Sequence, residues 1–119
     1  MLEDKKIDKY EIIKIGMKEF TLVFDKKFVL EYRKLDRSIQ IIGDKKLLRL
    51  KQDPFSFGKP LRYLAGLFEL YVDSFRIYYF VSEIKEKILI LAVKHKDEQD
   101  RFLRQLTPDK IKQLLEENL

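Results

Sequence analysis

Three apolar segments in the second half of the chain constrain its fold more than any other feature. They cover Leu67–Val72, residues 75–81 and residues 88–93, and only Asp73 and Ser74 join the first two. Asp and Ser favour tight turns, because their side chains hydrogen-bond to the nearby backbone. Three successive strands with short connections predict an antiparallel meander. The almost continuous apolar run at 88–93 is typical of a central strand that is covered on both faces.

The first half of the chain supplies elements that could cover this sheet. β-Branched and aromatic residues at 10–15 and 20–24 predict two short strands or a hairpin. Apolar residues at helical spacing then predict a helix over 26–35. A second helix is predicted from Ser38, as its N-cap, to Asp53, because the residue before proline avoids the helical region.

The remaining segments predict a loop and two further helices. Residues 55–62 are expected to form an irregular loop, and residues 97–106 a short helix. Thr107 is expected to cap a last helix that has Pro108 at its first position, and whose apolar stripe packs on the chain's own core. The predicted class is α+β: an antiparallel sheet of about four strands packed against two N-terminal helices, plus a C-terminal helix. We expect one domain over residues 1–119.

Composition limits the chemistry that the chain can perform. It has no cysteine and a single histidine, so a zinc–thiolate or histidine-rich metal site is not expected. No cofactor is expected either. No apolar run approaches the ~18 residues needed to cross a bilayer, and six of the first nine residues are charged. We therefore expect a cytoplasmic protein without a membrane partner.

The net charge of +5 is unevenly placed along the chain. Residues 44–62 carry six Lys or Arg against two Asp, and residues 85–104 carry six against four acidic residues. Uneven positive charge suggests a polyanion or an acidic protein as partner. A solvated surface of mixed charges would give the same counts. Charge alone does not decide between these interpretations.

Two neighbouring segments resemble the RelE/ParE toxin superfamily. Residues 58–70 read GKPLRYLAGLFEL and are similar to the family's GKPL(R/K)-x-L-x-G-L-(Y/F)-x-(L/I) segment. Residues 72–79 read VDSFRIYY and resemble its V-x-x-(Y/F)-R-(I/L)-(I/V)-Y hairpin. Residues 88–96 are similar to its last core strand, which usually ends in a basic or histidine-containing tail. The resemblance covers roughly residues 19–106, which leaves 1–17 as an N-terminal extension and 107–119 as an additional C-terminal helix.

The resemblance implies the toxin of a type II toxin–antitoxin module, a class associated with plasmid stabilisation. RelE-like members cut mRNA in the ribosomal A site without a metal and so inhibit translation, whereas ParE-like members bind DNA gyrase. A cognate antitoxin wraps and neutralises both. The chain is expected to be a RelE-like mRNA endoribonuclease, with the ribosome, mRNA and an antitoxin as partners. A non-nucleolytic member, either a gyrase inhibitor or a protein-binding module, stays open as the alternative.

RelE-type cleavage implies four candidate catalytic residues in this chain. The attack of a 2′-hydroxyl on the adjacent phosphate needs a base, an acid and cations that stabilise the developing charge. Arg76, at the hairpin arginine, would hold a phosphate, and Lys96 falls at the basic position after the last strand. His95 could exchange a proton near neutral pH, and Glu69 could serve as a base. Arg76 bracing its own turn, and an inert His95, are the structural alternatives.

Six further residues are expected to contact RNA. In RelE-like nucleases the first meander strand carries two basic residues on the open face, and here those positions are Glu69 and Tyr71, which strand alternation places on one face. Tyr71 could stack on a base, and Arg76 could pair with Glu69. Phe102 replaces an aromatic residue that is often Tyr, and it can stack but cannot exchange a proton. The expected RNA-binding residues are Lys59, Arg62, Tyr71, Lys94, Arg101 and Phe102.

Overall fold

The computed structural model describes residues 19–62 and 64–119. Its strands are β1 (Thr21–Phe24), β2 (Lys59–Pro60), β3 (Leu67–Val72), β4 (Phe75–Ser82) and β5 (Lys87–His95). Its helices are α1 (Lys26–Tyr32), α2 (Arg37–Leu50), α3 (Pro54–Phe57), α4 (Gln99–Gln105) and α5 (Pro108–Asn118), and a 3-10 turn at Lys96–Glu98 precedes α4. The strand predicted at 10–15 lies outside the described residues.

All five strands form one sheet in the order β1-β5-β4-β3-β2. The predicted meander β3-β4-β5 is antiparallel and forms the centre of the sheet. The expectation of a wholly antiparallel sheet was wrong, because β1 pairs in parallel with β5. The α+β class is confirmed, with a mixed sheet of five strands.

The turn between β3 and β4 has the predicted two residues. Val72 pairs with Phe75 directly across it, and Asp73 adopts a φ of 55°. This left-handed conformation strains most side chains, but Asp tolerates it because its carboxylate is short and polar.

One face of the sheet, which we call the α1–α2 face, is covered by the first two helices. Alternating residues of β3, β4 and β5 point into this core, and Ile77, Tyr79 and Ile90 are completely buried. The Tyr79 hydroxyl donates a 2.6 Å hydrogen bond to the carbonyl of Pro54. Burial raises the pKa of Tyr79 well above its ordinary value, and the nearby charge of Asp53 adds to the effect.

The opposite face, the α4 face, is covered by α4 and α5. Leu67, Leu89 and Leu91 of the sheet pack there against Leu106 and Ile111. The pairing of β4 with β5 shifts register between Tyr78 and Tyr79. Thr107 caps α5 as predicted, and the apolar stripe of α5 joins this core. Both faces of β5 are therefore covered, as its apolar run predicts.

A buried carboxylate connects the first and last helices. Asp25 is 7% exposed and accepts a hydrogen bond from the backbone of Lys27, so that it caps α1. Its second oxygen accepts a 3.1 Å hydrogen bond from the side-chain amide of Asn118. The C-terminal helix is therefore bound to the start of α1 as well as to the sheet.

The second helix begins two residues earlier than predicted. Its N-cap is Asp36 rather than Ser38, and the helix ends at Leu50, before the proline. Gly43, which weakens a helix by propensity, lies inside it, and the Tyr32 phenol packs against Gly43 in the space that a Cβ would need.

The segment predicted as an irregular loop contains two regular elements. Pro54 begins the single turn α3, which the Asp53 carboxylate caps, and Lys59–Pro60 pairs with β3. A tertiary contact explains the difference, because the hydrogen bond from Tyr79 to Pro54 attaches this segment to the sheet. No helix among the described residues is long and apolar enough to span a bilayer.

Candidate functional site

Two rows of side chains cross the α4 face at its hairpin end. The first row is Lys59, Glu69 and Tyr78, on β2, β3 and β4. The second row is one side-chain step nearer the hairpin and consists of Tyr71, Arg76 and Lys94. Directly paired residues of antiparallel strands share a face. The sheet therefore brings together six residues from positions 59 to 94, five of which we expected to contribute to the site.

Arg76 braces the hairpin and supports an aromatic ring. Its Nη1 donates 2.9 Å hydrogen bonds to the carbonyls of Asp73 and Phe75. Its guanidinium carbon lies 3.9 Å from the centre of the Tyr71 ring, a cation–π contact. The bracing role considered from the sequence is therefore present, and it fixes the guanidinium beside an exposed tyrosine.

Glu69 is a buried carboxylate held by α4. It is 1% exposed, and its Oε2 accepts a 2.5 Å hydrogen bond from the Gln99 amide. The Arg76 hydrogen bonds go to the turn instead, so the structure does not show the Glu69–Arg76 pair that the sequence allowed. Burying a carboxylate is costly unless a donor satisfies it. Gln99 was not foreseen, because no local pattern relates residues thirty positions apart.

Lys94 and Phe102 meet where α4 crosses β5. The Lys94 ammonium forms a 2.8 Å ion pair with Glu31 of α1 and lies 5.6 Å from the Phe102 ring centre. Phe102 packs on Tyr78, with 4.8 Å between the ring centres. Phe102 therefore anchors α4 on the same face that carries Arg76.

His95 lies on the other face of the sheet. It pairs with Phe75, and their rings meet edge to face at 5.3 Å. Its Nδ1 accepts a hydrogen bond from the backbone of Asp97, while Glu98 accepts one from the His95 backbone, so His95 caps the 3-10 turn. The structure does not bring the His95 ring together with Arg76.

The other expected residues surround the two rows. The Lys96 backbone donates to Ser74, which places Lys96 beside the hairpin turn. Lys59, Arg62 and Arg101 are exposed. Arg101 lines a small surface pocket together with Lys94 and Phe102.

Two basic residues of α2 were missed as candidates by sequence reasoning. Lys46 donates a 2.6 Å hydrogen bond to the Tyr71 carbonyl, and both Lys46 and Arg49 line a cleft beside Tyr71. Their spacing of three residues puts them on one side of a helix. That spacing was a usable signal, but only the fold shows that this side faces β3.

Comparison with solved structures relates this fold to known toxins. The RelBE2 toxin–antitoxin complex from Mycobacterium tuberculosis contains a chain that is 28% identical, with a TM-score of 0.58 over 66% of this chain and 92% of that one. The chain belongs to the RelE-like toxin superfamily. No family model and no curated protein matches the sequence.

Two Escherichia coli structures share the RelE-like fold at lower identity. A mutant of toxin RelE in the free state is 21% identical, with a TM-score of 0.63 over 75% of this chain and 99% of that one. A chain of the intact RelBE toxin–antitoxin complex is 24% identical, with a TM-score of 0.60 over 64% of this chain and 95% of that one. These two matches show the fold, and the RelBE2 match confirms the superfamily expected from the sequence.

Proposed function

We propose that this RelE-like chain is the toxin of a type II toxin–antitoxin module, and that it cleaves mRNA at the ribosome in the cytoplasm without a metal. The observation that carries the proposal is the pair of rows on the α4 face. These two rows are neighbours on that face, and they hold Glu69 in one row and Arg76 and Lys94 in the next. A cognate antitoxin is the expected protein partner, as in the toxin–antitoxin complexes that the fold resembles.

The reaction that this face would support is an internal transesterification. Glu69 takes the proton of a 2′-hydroxyl, whose oxygen forms a bond to the adjacent phosphorus. The bond from phosphorus to the 5′-oxygen breaks, and the Lys96 ammonium gives that oxygen a proton. Arg76 neutralises charge that develops on the phosphate. The products are a cyclic phosphate and a free 5′-hydroxyl.

Movement of α4 is part of this proposal. Glu69 is 1% exposed and bound to Gln99, so a substrate reaches it only after α4 has moved away from this end of the sheet. The hydrogen bond from Gln99 and the packing of Phe102 on Tyr78 are the contacts that such a movement would break.

Mapping the 5′ ends of cellular mRNA tests the activity. The chain is expressed with and without its neighbouring open reading frame, and cuts are sought in translated regions. We expect codon-phased cuts that disappear in Arg76→Ala and fall by on the order of a hundredfold or more in Glu69→Gln, the usual loss for a general base. Arg33→Ala, an exposed arginine at the end of α1, is the control and should cut normally. Intact mRNA in toxic cells would reject the nuclease.

A second candidate is a non-nucleolytic member of the superfamily, either an inhibitor of DNA gyrase or a protein-binding module. The observation that favours it is that two side chains that could transfer protons already have hydrogen-bond partners. Glu69 is covered by Gln99, and His95 caps a turn on the opposite face. Growth arrest with altered supercoiling and intact mRNA would support gyrase as the target. Absence of toxicity would reject both toxin hypotheses in that host.

A further inference from the structure

A basic cleft lies beside the edge of β3, beyond the end of the two-residue strand β2. It has a volume of about 490 Å³. Three cations line it, Lys46 and Arg49 from α2 and Lys59 from β2, together with the aromatic side chains of Phe57 and Tyr71. We propose that this cleft binds a single-stranded nucleic acid, with the cations on its phosphates and Tyr71 under one base. The choice of RNA as the nucleic acid rests on the function proposed above.

The charge of the cleft is strongly one-sided. Lys46 and Arg49 are three residues apart and face the cleft from one side of α2, while Lys59 faces it from β2. Among the described residues that line it, Glu69 is the single acid, and its carboxylate is occupied by Gln99. Lys and Arg side chains around a groove supply the sequence-independent part of nucleic-acid affinity by contacting phosphates.

Tyr71 provides a rigid surface for stacking. It is 46% exposed and lies on β3 beyond the residues that pair with β2. The Arg76 guanidinium covers one side of its ring at 3.9 Å, and two hydrogen bonds to turn carbonyls hold that guanidinium in place. We place a base on the exposed part of the Tyr71 ring. Phe57, which is 46% exposed and has the Arg49 guanidinium 5.8 Å from its ring centre, offers a second aromatic surface. Aromatic rings beside cations are the usual elements of single-strand recognition.

An extended acidic peptide suits this cleft less well. A peptide strand would have to pair with the edge of β3 beyond β2, and the carbonyl that it would need there, that of Tyr71, already accepts a hydrogen bond from Lys46. Tyr71 lines the cleft and also contacts Arg76 of the α4 face through its ring. A strand held at Arg76 can therefore continue over Tyr71 into the cleft.

Binding of a labelled 2′-O-methyl RNA of about eight nucleotides tests the proposal, since single-strand sites usually span about 4–16 nucleotides. The methyl group blocks the attacking oxygen, so binding is measured without cleavage. Arg49→Glu should weaken binding on the order of tenfold and reduce the slope of log K against log salt by about 0.7, the value for one lost phosphate contact on a single strand. Lys45→Glu is the matched control, because it reverses the charge of an exposed neighbour outside the cleft. It should change the affinity by less than about twofold, because only a long-range charge effect remains and salt screens it.

The stacking part of the proposal has its own pair of variants. Tyr71→Ala should lose on the order of tenfold in affinity, the usual effect of removing one stacked base contact, whereas Tyr71→Phe should retain it. Lys59→Glu provides a second charge variant if Arg49→Glu does not fold, as judged by circular dichroism. An equal loss of RNA affinity in Arg49→Glu and Lys45→Glu would overturn the proposal that RNA binds in the cleft. RNA affinity that does not depend on Tyr71 would overturn it too.

These measurements distinguish failure of the proposed RNA-binding cleft from failure of the proposed nuclease activity. RNA binding with the expected variant pattern, in a protein that leaves mRNA intact, would support the cleft and reject the nuclease. Cleavage of mRNA by an Arg49→Glu protein that binds RNA normally would reject the cleft alone. Binding of a poly-glutamate peptide in place of RNA, with the same dependence on Arg49, would overturn the proposal in favour of a protein ligand.

Discussion

The two faces of the sheet differ in the polarity of their side chains. The α1–α2 face is apolar across β3, β4 and β5, and its cover is two helices that precede the meander in sequence. The α4 face is apolar at one end only, and its hairpin end carries Glu69, Arg76 and Lys94. Alternation along a strand sends neighbouring residues to opposite faces. One hairpin can therefore contribute a permanent core on one side and a charged surface on the other.

The covers of the two faces differ as well. The α1–α2 face is sealed by completely buried aliphatic side chains. At its hairpin end the α4 face is closed by the contact of Phe102 with Tyr78 and by one hydrogen bond from Gln99 to Glu69. Elements with few buried apolar contacts are the ones that open at low free energy. We therefore expect the α4 cover to open more easily than the α1–α2 cover.

Truncation of one side chain on each face gives the largest expected difference. Ile90→Ala should lower the free energy of unfolding by about 2–5 kcal/mol, because it leaves a cavity in the α1–α2 core. Tyr71→Ala on the α4 face should lower it by less than about 1 kcal/mol, since it removes an exposed ring and one cation–π contact. Urea denaturation followed by circular dichroism measures both. Similar losses in the two variants would contradict the proposed difference between the faces.

Removal of the donor to Glu69 tests the cover of the α4 face. Gln99→Ala should lower the free energy of unfolding by about 1–3 kcal/mol, because the buried carboxylate loses its hydrogen-bond donor. Gln105→Ala, at an exposed position of the same helix, is the matched control and should change it by less than about 0.5 kcal/mol. Chemical denaturation at neutral pH compares them. If the two variants are equally stable, Gln99 does not hold α4 on the sheet.

Alkaline pH should act on the α1–α2 face through Tyr79. Its pKa is raised in the folded protein, so the stability that it contributes is complete below the ordinary value of 10.0 and falls as the pH rises above it. The expected loss is at most about 1.4 kcal/mol per pH unit for one tyrosine. Tyr79→Phe should weaken this dependence between about pH 9 and 11, around the ordinary pKa of tyrosine. Urea midpoints across that range provide the measurement, and an unaltered dependence in Tyr79→Phe would assign the effect to other groups, Tyr32 first among them.

Some of the site was accessible from the sequence, and some was not. Alternation along β3 is enough to predict that Glu69 and Tyr71 share a face, and the pairing of β3 with β4 confirms it. Alternation could not separate His95 from Arg76, because their faces depend on the register between β4 and β5. Nor could it supply Gln99, whose contact with Glu69 depends on where α4 crosses the sheet.

The sequence by itself determined the meander, the two-residue turn and the cap of α5. These features depend on side chains within a few residues of one another, through alternation, turn chemistry and capping. Only the tertiary structure decided that β1 joins β5 in parallel, that α3 and β2 replace a loop, and that Lys46 and Arg49 face Tyr71. Each of these depends on a contact between distant parts of the chain, for which a local pattern of residues carries no information.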